Sequence, residues 1–247
     1  MARITWDALG ERRYELGVDR GVFYHYVANE YVDGVAWNGL TGVEDNIGGR
    51  EKTPLYSGGV KAGSEYTAEE YSGKIKCYYY PDEFEEYLGE VEVISGIFAR
   101  QQDRDMFAFC YRSKIGNDTE GSEHGYKLHL IYNMIVTDFS RSYSTINGSL
   151  DLQETEISFE TFPEDVDDDE IDAVSEIVLD SRLIDQNTLS TLENILYGTE
   201  EEAPRLPFPD EIIELFDVQE PLPPEWVLFP NFLVRPSSGI YPVSQED

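Results

Sequence analysis

Apolar and polar positions alternate most clearly between Gly125 and Phe162. Tyr126, Leu128, Leu130, Tyr132, Met134 and Val136 fall on one face of an extended strand, with Lys127, His129, Ile131, Asn133 and Ile135 on the other. A second strand sets Thr155, Ile157, Phe159 and Thr161 against Glu154, Glu156, Ser158 and Glu160. Ser140 to Ser149, rich in Ser, Asn and Gly, joins them as a hairpin connection. The pair offers one apolar face to a core and one partly carboxylate-lined face to water or a partner.

The rest of the chain to residue 162 is also strand-dominated. ELGVDRGVFYHYVA is a β-rich opening with Gly17 and Gly21 placed for tight turns. Gly34 to Gly49 reads as a short apolar strand that breaks into glycines, and Gly48 to Gly63 as an exposed, mobile loop. Tyr71 to Tyr79 predicts a strand that Pro81 stops. PDEFEEYL then predicts a short helix, with Pro81 in the first turn and Asp82 and Glu83 at its electropositive start. Phe84, Tyr87 and Leu88 would share its apolar side. Strands around Val91–Ala99 and Asp105–Ser113 lead into the loop 116–125 and the long hairpin. Residues 1–162 therefore call for a mainly β domain, a sandwich or part of a barrel, with one flanking short helix.

Composition shifts at Pro163. Residues 163–247 carry 22 acids against Arg182, Arg205 and Arg235, a net of −19. The acidic run in 163–173 reads as a linker. Residues 174–247 read as a C-terminal arm: a strand at 175–180, an amphipathic helix at 186–197, a short helix at 209–216 and a proline-rich tail. Too few apolar residues lie there for an independent core. Leu189, Leu192, Leu196, Trp226 and Phe229 are expected to dock on this protomer or a neighbour, since exposed they would form a large apolar patch.

The 247 residues carry a net charge of −32, which repels nucleic-acid phosphates and argues against tight binding to them. Met1 to Tyr14 has scattered charges and no apolar run, so no secretory signal is expected, and no stretch approaches a membrane span. Cys77 and Cys110 are too few for a disulfide framework, and reduced thiols are expected. His25, His124 and His129 are too scattered for a zinc site, and His129 reads as a satisfied surface histidine. No phosphate-binding loop, dinucleotide fingerprint or nucleophile elbow is present. Asp165, Asp167, Asp168, Asp169 and Glu170 lack the glycine and terminal glutamate of a calcium loop. No catalysis, metal or cofactor is expected.

Several segments resemble, in order, the major tail tube protein of long, non-contractile-tailed phages (siphophages) infecting Gram-positive bacteria. They are ELGVDRGVFY (Glu15–Tyr24), GVAWNGLTGVED (Gly34–Asp45), YYYPDEFEEYLGE (Tyr78–Glu90), QQDRDMFAFCYRSKIGND (Gln101–Asp118), GYKLHLIYN (Gly125–Asn133) and DQNTLSTLENILYGTEEEAPRLPFPDEII (Asp185–Ile213). Gly59–Gly63 departs from the family's loop, and the last thirty residues match nothing in it. The resemblance implies a tail-tube-type β-sandwich forming hexameric rings by strand pairing. Such rings stack into a hollow virion tube, assembled in the host cytoplasm around a tape-measure protein and joined to tail terminator and distal tail proteins. Double-stranded DNA would pass without specific binding, and no membrane is involved. Asn133, Glu154, Glu156 and Glu160 then become candidates for the lumen. Arg50, Glu51, Lys52, Tyr56 and Lys61, in the Gly48–Gly63 loop, become candidates for ring stacking.

Two alternatives fit the same pattern. One is the tube of a secretion or injection system. The other is an acidic carbohydrate-binding β-sandwich using Tyr78, Tyr79 and Tyr80 as a platform.

Overall fold

The computed structural model describes residues 4–48, 52–66, 70–101, 103–145, 152–166, 173–216, 227–229, 232–235 and 239–242. Its elements begin with β1 (Arg13–Val27), β2 (Glu30–Trp37), β3 (Leu40–Gly48), β4 (Lys52–Ser57), β5 (Val60–Tyr66) and β6 (Glu70–Cys77). A 3-10 helix (Asp82–Leu88) follows, then β7 (Glu90–Ile94), β8 (Ile97–Arg100), β9 (Phe107–Asn117), β10 (Gly121–Ser140) and β11 (Thr155–Thr161). The remainder holds β12 (Glu164–Asp165), β13 (Ala173–Val174), β14 (Glu176–Asp180), α1 (Gln186–Tyr197), α2 (Pro209–Phe216), β15 (Val227–Phe229), β16 (Phe232–Arg235) and β17 (Gly239–Pro242). The protein is mainly β, as the alternation predicts.

The chain forms two compact units, Met1–Asp210 and Glu211–Asp247. The second holds an antiparallel meander in which Val227 opposes Val234 and Leu233 opposes Tyr241. In the first, antiparallel strands run in the order β2-β1-β9-β10-β11-β6-β3. One edge of β10 pairs with β9. The other pairs with β14 over Lys127–Ile131 and with β11 over Met134–Ser140.

The curled sheet makes two layers around an aromatic core. Phe23, Phe107, Phe109 and Ile131 face Ile75, Cys77, Ile157 and Phe159. The 3-10 helix closes this core with Phe84, Tyr87 and Leu88, all buried. Gly21 is the close approach that permits the curl. A Cβ there would lie 3.0 Å from Leu40 Cδ2 and 3.2 Å from Phe109 Cζ. The tight turns expected at Gly17 and Gly21 are absent, and both residues lie inside the continuous strand β1.

The opposite face of β1, β9 and β10 is covered by α1. Leu189, Leu192 and Leu196 are buried, as are Tyr24, Cys110, Leu128, Leu130 and Tyr132 on the strands. Tyr24 donates its hydroxyl to the Leu196 carbonyl at 2.8 Å, and Tyr126 reaches Glu193 at 2.7 Å. Each buried leucine contributes about 1.5–3 kcal/mol. Asp185 caps the helix by accepting from the amides of Asn187 and Thr188 at 2.9 and 3.1 Å, worth about 1 kcal/mol. Covered on both sides, β9 reads as the unbroken buried run Phe107–Tyr111 instead of alternating.

Because β14 and α1 belong to this construction, the compact unit extends past the boundary expected at residue 163. Residues 167–172 of the expected linker lie outside the described residues, and β12 pairs with β13 on either side of them.

A further difference concerns β10. Its single alternation breaks between Ile131 and Met134, where Asn133 adopts φ 46°. Asparagine tolerates this left-handed conformation, and the resulting bulge reverses the facing of later residues. Leu128, Leu130 and Tyr132 are buried on the α1 side, whereas Met134 and Val136 join Ile131 in the sandwich core.

Candidate assembly surfaces

β11 keeps its predicted alternation: Thr155, Ile157, Phe159 and Thr161 are buried, with Glu156, Ser158 and Glu160 facing outward. The register pairs Glu156 with Lys76 and Ser158 with Lys74, while Glu44 of β3 pairs with Lys74. Lys74 Nζ lies 3.2 Å from Glu156, and Lys76 lies 4.0 Å from Glu156 and also bonds Glu44. The Lys76 ammonium holds the Glu44 carboxyl below its ordinary range. The face expected to be carboxylate-lined is therefore a mixed-charge face. Glu154 and Glu160 remain exposed on or beside it.

Asn133 is not brought to that face. Its Nδ2 donates to Glu164 Oε2 at 2.6 Å, and its Oδ1 lies 2.8 Å from the Tyr31 hydroxyl. The bulge that redirects β10 aims this side chain at Tyr31 and Glu164 instead of along the β11 glutamates.

The loop expected at Gly48–Gly63 is largely a hairpin, β4–β5. Its turn, Gly58–Gly59, has φ of 59° and 80°, the two positive values of a hairpin turn matched to strand twist. Tyr56 and Lys61 are exposed on it, beside Leu55 and Val60. Arg50 and Glu51 lie outside the described residues, as does the side chain of Lys52. Among the arm candidates, Trp226 also lies outside them, and Phe229 is described only as part of β15.

The span Val91–Ala99, expected as one strand, is a second hairpin, β7–β8, turning at Ser95–Gly96. Val93, Ile94, Ile97 and Phe98 are 50–65% exposed on it. The tyrosine platform divides: Tyr78 and Tyr79 are exposed, but Tyr80 is buried in the core cluster.

One polar constellation has no counterpart in the sequence pattern. Ser113 Oγ lies 3.0 Å from His129 Nε2, and His129 Nδ1 lies 2.8 Å from Glu176. His129 stacks on Tyr111 at 4.4 Å, so it is an anchored, mostly covered group and not a surface histidine. The order resembles a nucleophile, base and acid. Ser113, however, is mid-strand, opposite Val18 on one side and Lys127 on the other. Its backbone belongs to two ladders, so the serine's own amide is held in the sheet. Neighbouring strands alone place these three residues together, so no local motif announces them. The thiols of Cys77 and Cys110 are buried and free; burial pushes the Cys77 thiol up to about 11.

At the end of the sheet where β1 begins, an open cleft of about 830 Å³ is lined by Arg13, Arg112, Lys114, His124, Tyr126 and Arg182 among others. Arg112 grips Asp19 with Nε–Oδ1 2.6 Å and Nη2–Oδ2 2.8 Å. This pairing holds the Asp19 carboxyl below its ordinary value of 3.8. A depressed carboxylate contributes stability that is present above the unfolded value and lost as pH falls through the folded one. Urea unfolding measured below pH 5 should show that loss in the parent protein, and Arg112→Leu should flatten it. An unchanged acid limb would show that the pair contributes nothing.

No family model matches the chain, and no curated protein is similar to it. Among solved structures, the chain is similar to one in the extended sheath–tube complex of an extracellular contractile injection system (PVC). Identity is 15% and the TM-score 0.36, covering 68% of this chain and 93% of that one. A chain of the tube-terminating cap of the anti-feeding prophage (AFP) is similar at 11% identity and TM-score 0.36, covering 73% and 100%. A chain of the AFP baseplate is similar at 8% identity and TM-score 0.33, covering 71% and 97%. At these scores the overlays carry no functional argument of their own.

Proposed function

We propose that this chain is a tail-tube structural protein whose copies form rings, hexameric in the siphophage family it resembles, that stack into a conduit for the phage genome. The observation that carries the reading is exposed apolar side chains on the β4–β5 hairpin and on the segment before β1. Leu55, Tyr56 and Val60 on β4–β5 are 49–71% exposed, and Ile4, Trp6 and Leu9 before β1 are 71–82% exposed. Exposed apolar side chains gathered on one hairpin mark a candidate contact surface. Unpaired hairpin edges invite strand addition by another copy. The ordered motifs from Glu15 to Ile213 support the same reading. The net charge of −32 suits a conduit along which DNA slides without adhering. In this reading the protein has no catalytic role. Its partners are further copies, a tape-measure protein, and the terminator and distal proteins of the tail.

Negative-stain electron microscopy across a concentration series tests it. Hollow rings or tubes are expected, and a monomer at every concentration would count against self-assembly. Limited trypsin digestion tests the stacking role of β4–β5 separately. Lys61 should be cut in free protein and protected in tubes; equal cleavage would remove β4–β5 from the contact.

A further inference from the structure

We propose that the 3-10 helix and β7–β8 hairpin of one copy dock, head to tail, into the cleft lined by Arg13, Lys114 and Arg182 on a second copy. The proposal rests on the self-assembly reading and adds which two surfaces meet.

The two surfaces lie at opposite ends of the same strands. The helix packs where β1 ends and β9 begins: Tyr87 lies against Phe107 at 5.4 Å and its hydroxyl is 2.7 Å from His25 Nδ1. The cleft lies where β1 begins and β9 ends, since Arg13 pairs with Asn117 and Lys114 with Leu16. A contact between opposite ends of identical molecules is heterologous, so it propagates instead of closing on a pair.

The helix end carries a surplus of acids, and the cleft end carries both signs. The helix carries Asp82, Glu83, Glu85 and Glu86, and the hairpin adds Glu90 and Glu92. Arg100 and Arg141 both engage the single carboxylate of Glu90. Burial, then the charges of Glu90 and Asp82, push the Glu85 carboxyl above its ordinary range. The cleft sets Arg13, Arg112, Lys114 and Arg182 against Glu120 and Glu123. Arg112 and Arg182 are held by Asp19 and Asp180. Among the described residues, the ion pairs of Arg13 and Lys114 are long, 3.6 Å to Glu11 and 4.0 Å to Asp19, which leaves their charge available to a partner.

Shape and polarity agree with the charge. The hairpin tip presents Val93, Ile94, Ile97 and Phe98 around a two-residue turn. The cleft is open, within the size range of ligand-receiving cavities, and is flanked by Leu183, which is 83% exposed. The apolar tip and its flanking carboxylates would meet Leu183 and the cations Arg13 and Lys114.

Disulfide trapping in the full-length protein tests the contact. Ser95→Cys places a thiol on the hairpin tip and Ser122→Cys places one in the cleft, while the native thiols of Cys77 and Cys110 are buried. Mixed under mild oxidation, the two variants should cross-link about tenfold faster than Ser95→Cys with Ser190→Cys on the outward face of α1. Equal rates, or faster Ser95→Cys homodimers, would overturn the proposal. As a second measurement, Arg13→Glu with Lys114→Glu should weaken self-association about tenfold, and mixing with Glu83→Lys/Glu92→Lys protein should restore it. No loss would likewise overturn it. Tubes seen without the mixed disulfide would remove this contact and leave the tube reading standing. The mixed disulfide without tubes would do the reverse.

Discussion

Replacing Phe84 with alanine is expected to lower the unfolding free energy of the Met1–Asp210 unit by about 3–5 kcal/mol. Phe84 is fully buried, with its ring centroid 4.7 Å from Trp37, 5.0 Å from Phe107, 5.2 Å from Phe23 and 5.4 Å from Tyr87. Those neighbours sit on strands fixed by their own ladders and on the helix itself, so they cannot close around the lost ring. The cavity term therefore adds to the lost transfer energy. Phe84→Leu should recover most of the loss by refilling the volume. Tyr79→Ala, at an exposed position five residues upstream, should stay within about 0.5 kcal/mol. Urea unfolding followed by tryptophan fluorescence reads all three. A loss below about 1 kcal/mol for Phe84→Ala would mean that the 3-10 helix is an attachment and not part of the core.

The second large effect is expected from cutting the chain after Phe162. That removes β14 and α1, leaving the Lys127–Ile131 edge of β10 unpaired and uncovering Leu128, Leu130 and Tyr132. An unpaired central edge beside a stripped apolar face is an aggregation surface, so the product should be insoluble. Ending the chain after Asp210 keeps the whole first unit and should preserve solubility and a cooperative transition. Leu192→Asp tests the same docking at one position. It places an unpaired carboxylate where the side chain is fully buried and should cost more than about 3 kcal/mol. A soluble 1–162 fragment that assembles normally would make everything after it peripheral to the fold.

Local patterns were readable in the sequence because their causes are local. The alternation of β11, the helical spacing of Leu189, Leu192 and Leu196, and the apolar side Phe84, Tyr87 and Leu88 each lie within one element. What was not readable depends on register. Lys74 and Lys76 lie far from Glu156 in the sequence, and only the pairing of β6 with β11 turns a carboxylate stripe into a mixed face. Asn133 is a single residue in a left-handed conformation, and the bulge there puts Met134 and Val136 on the face opposite Leu128, Leu130 and Tyr132. Ser95–Gly96 is different: a serine–glycine pair between apolar runs is a turn signal, and the expectation of one strand over Val91–Ala99 passed over it. Ser113, His129 and Glu176 meet across three strands, so no spacing announces them.

The strand order has a consequence for how the polypeptide is made. Val22 in β1 pairs with Cys110 in β9, and Lys127 in β10 is flanked by Asp180 in β14. The central ladders cannot form while the first half of the chain is leaving the ribosome, and closure over such sequence separations is slow. During that interval the growing chain carries an open β edge and the unshielded aromatics of its future core. The net charge of −32 is suited to keeping neighbouring nascent chains apart until the last strand arrives.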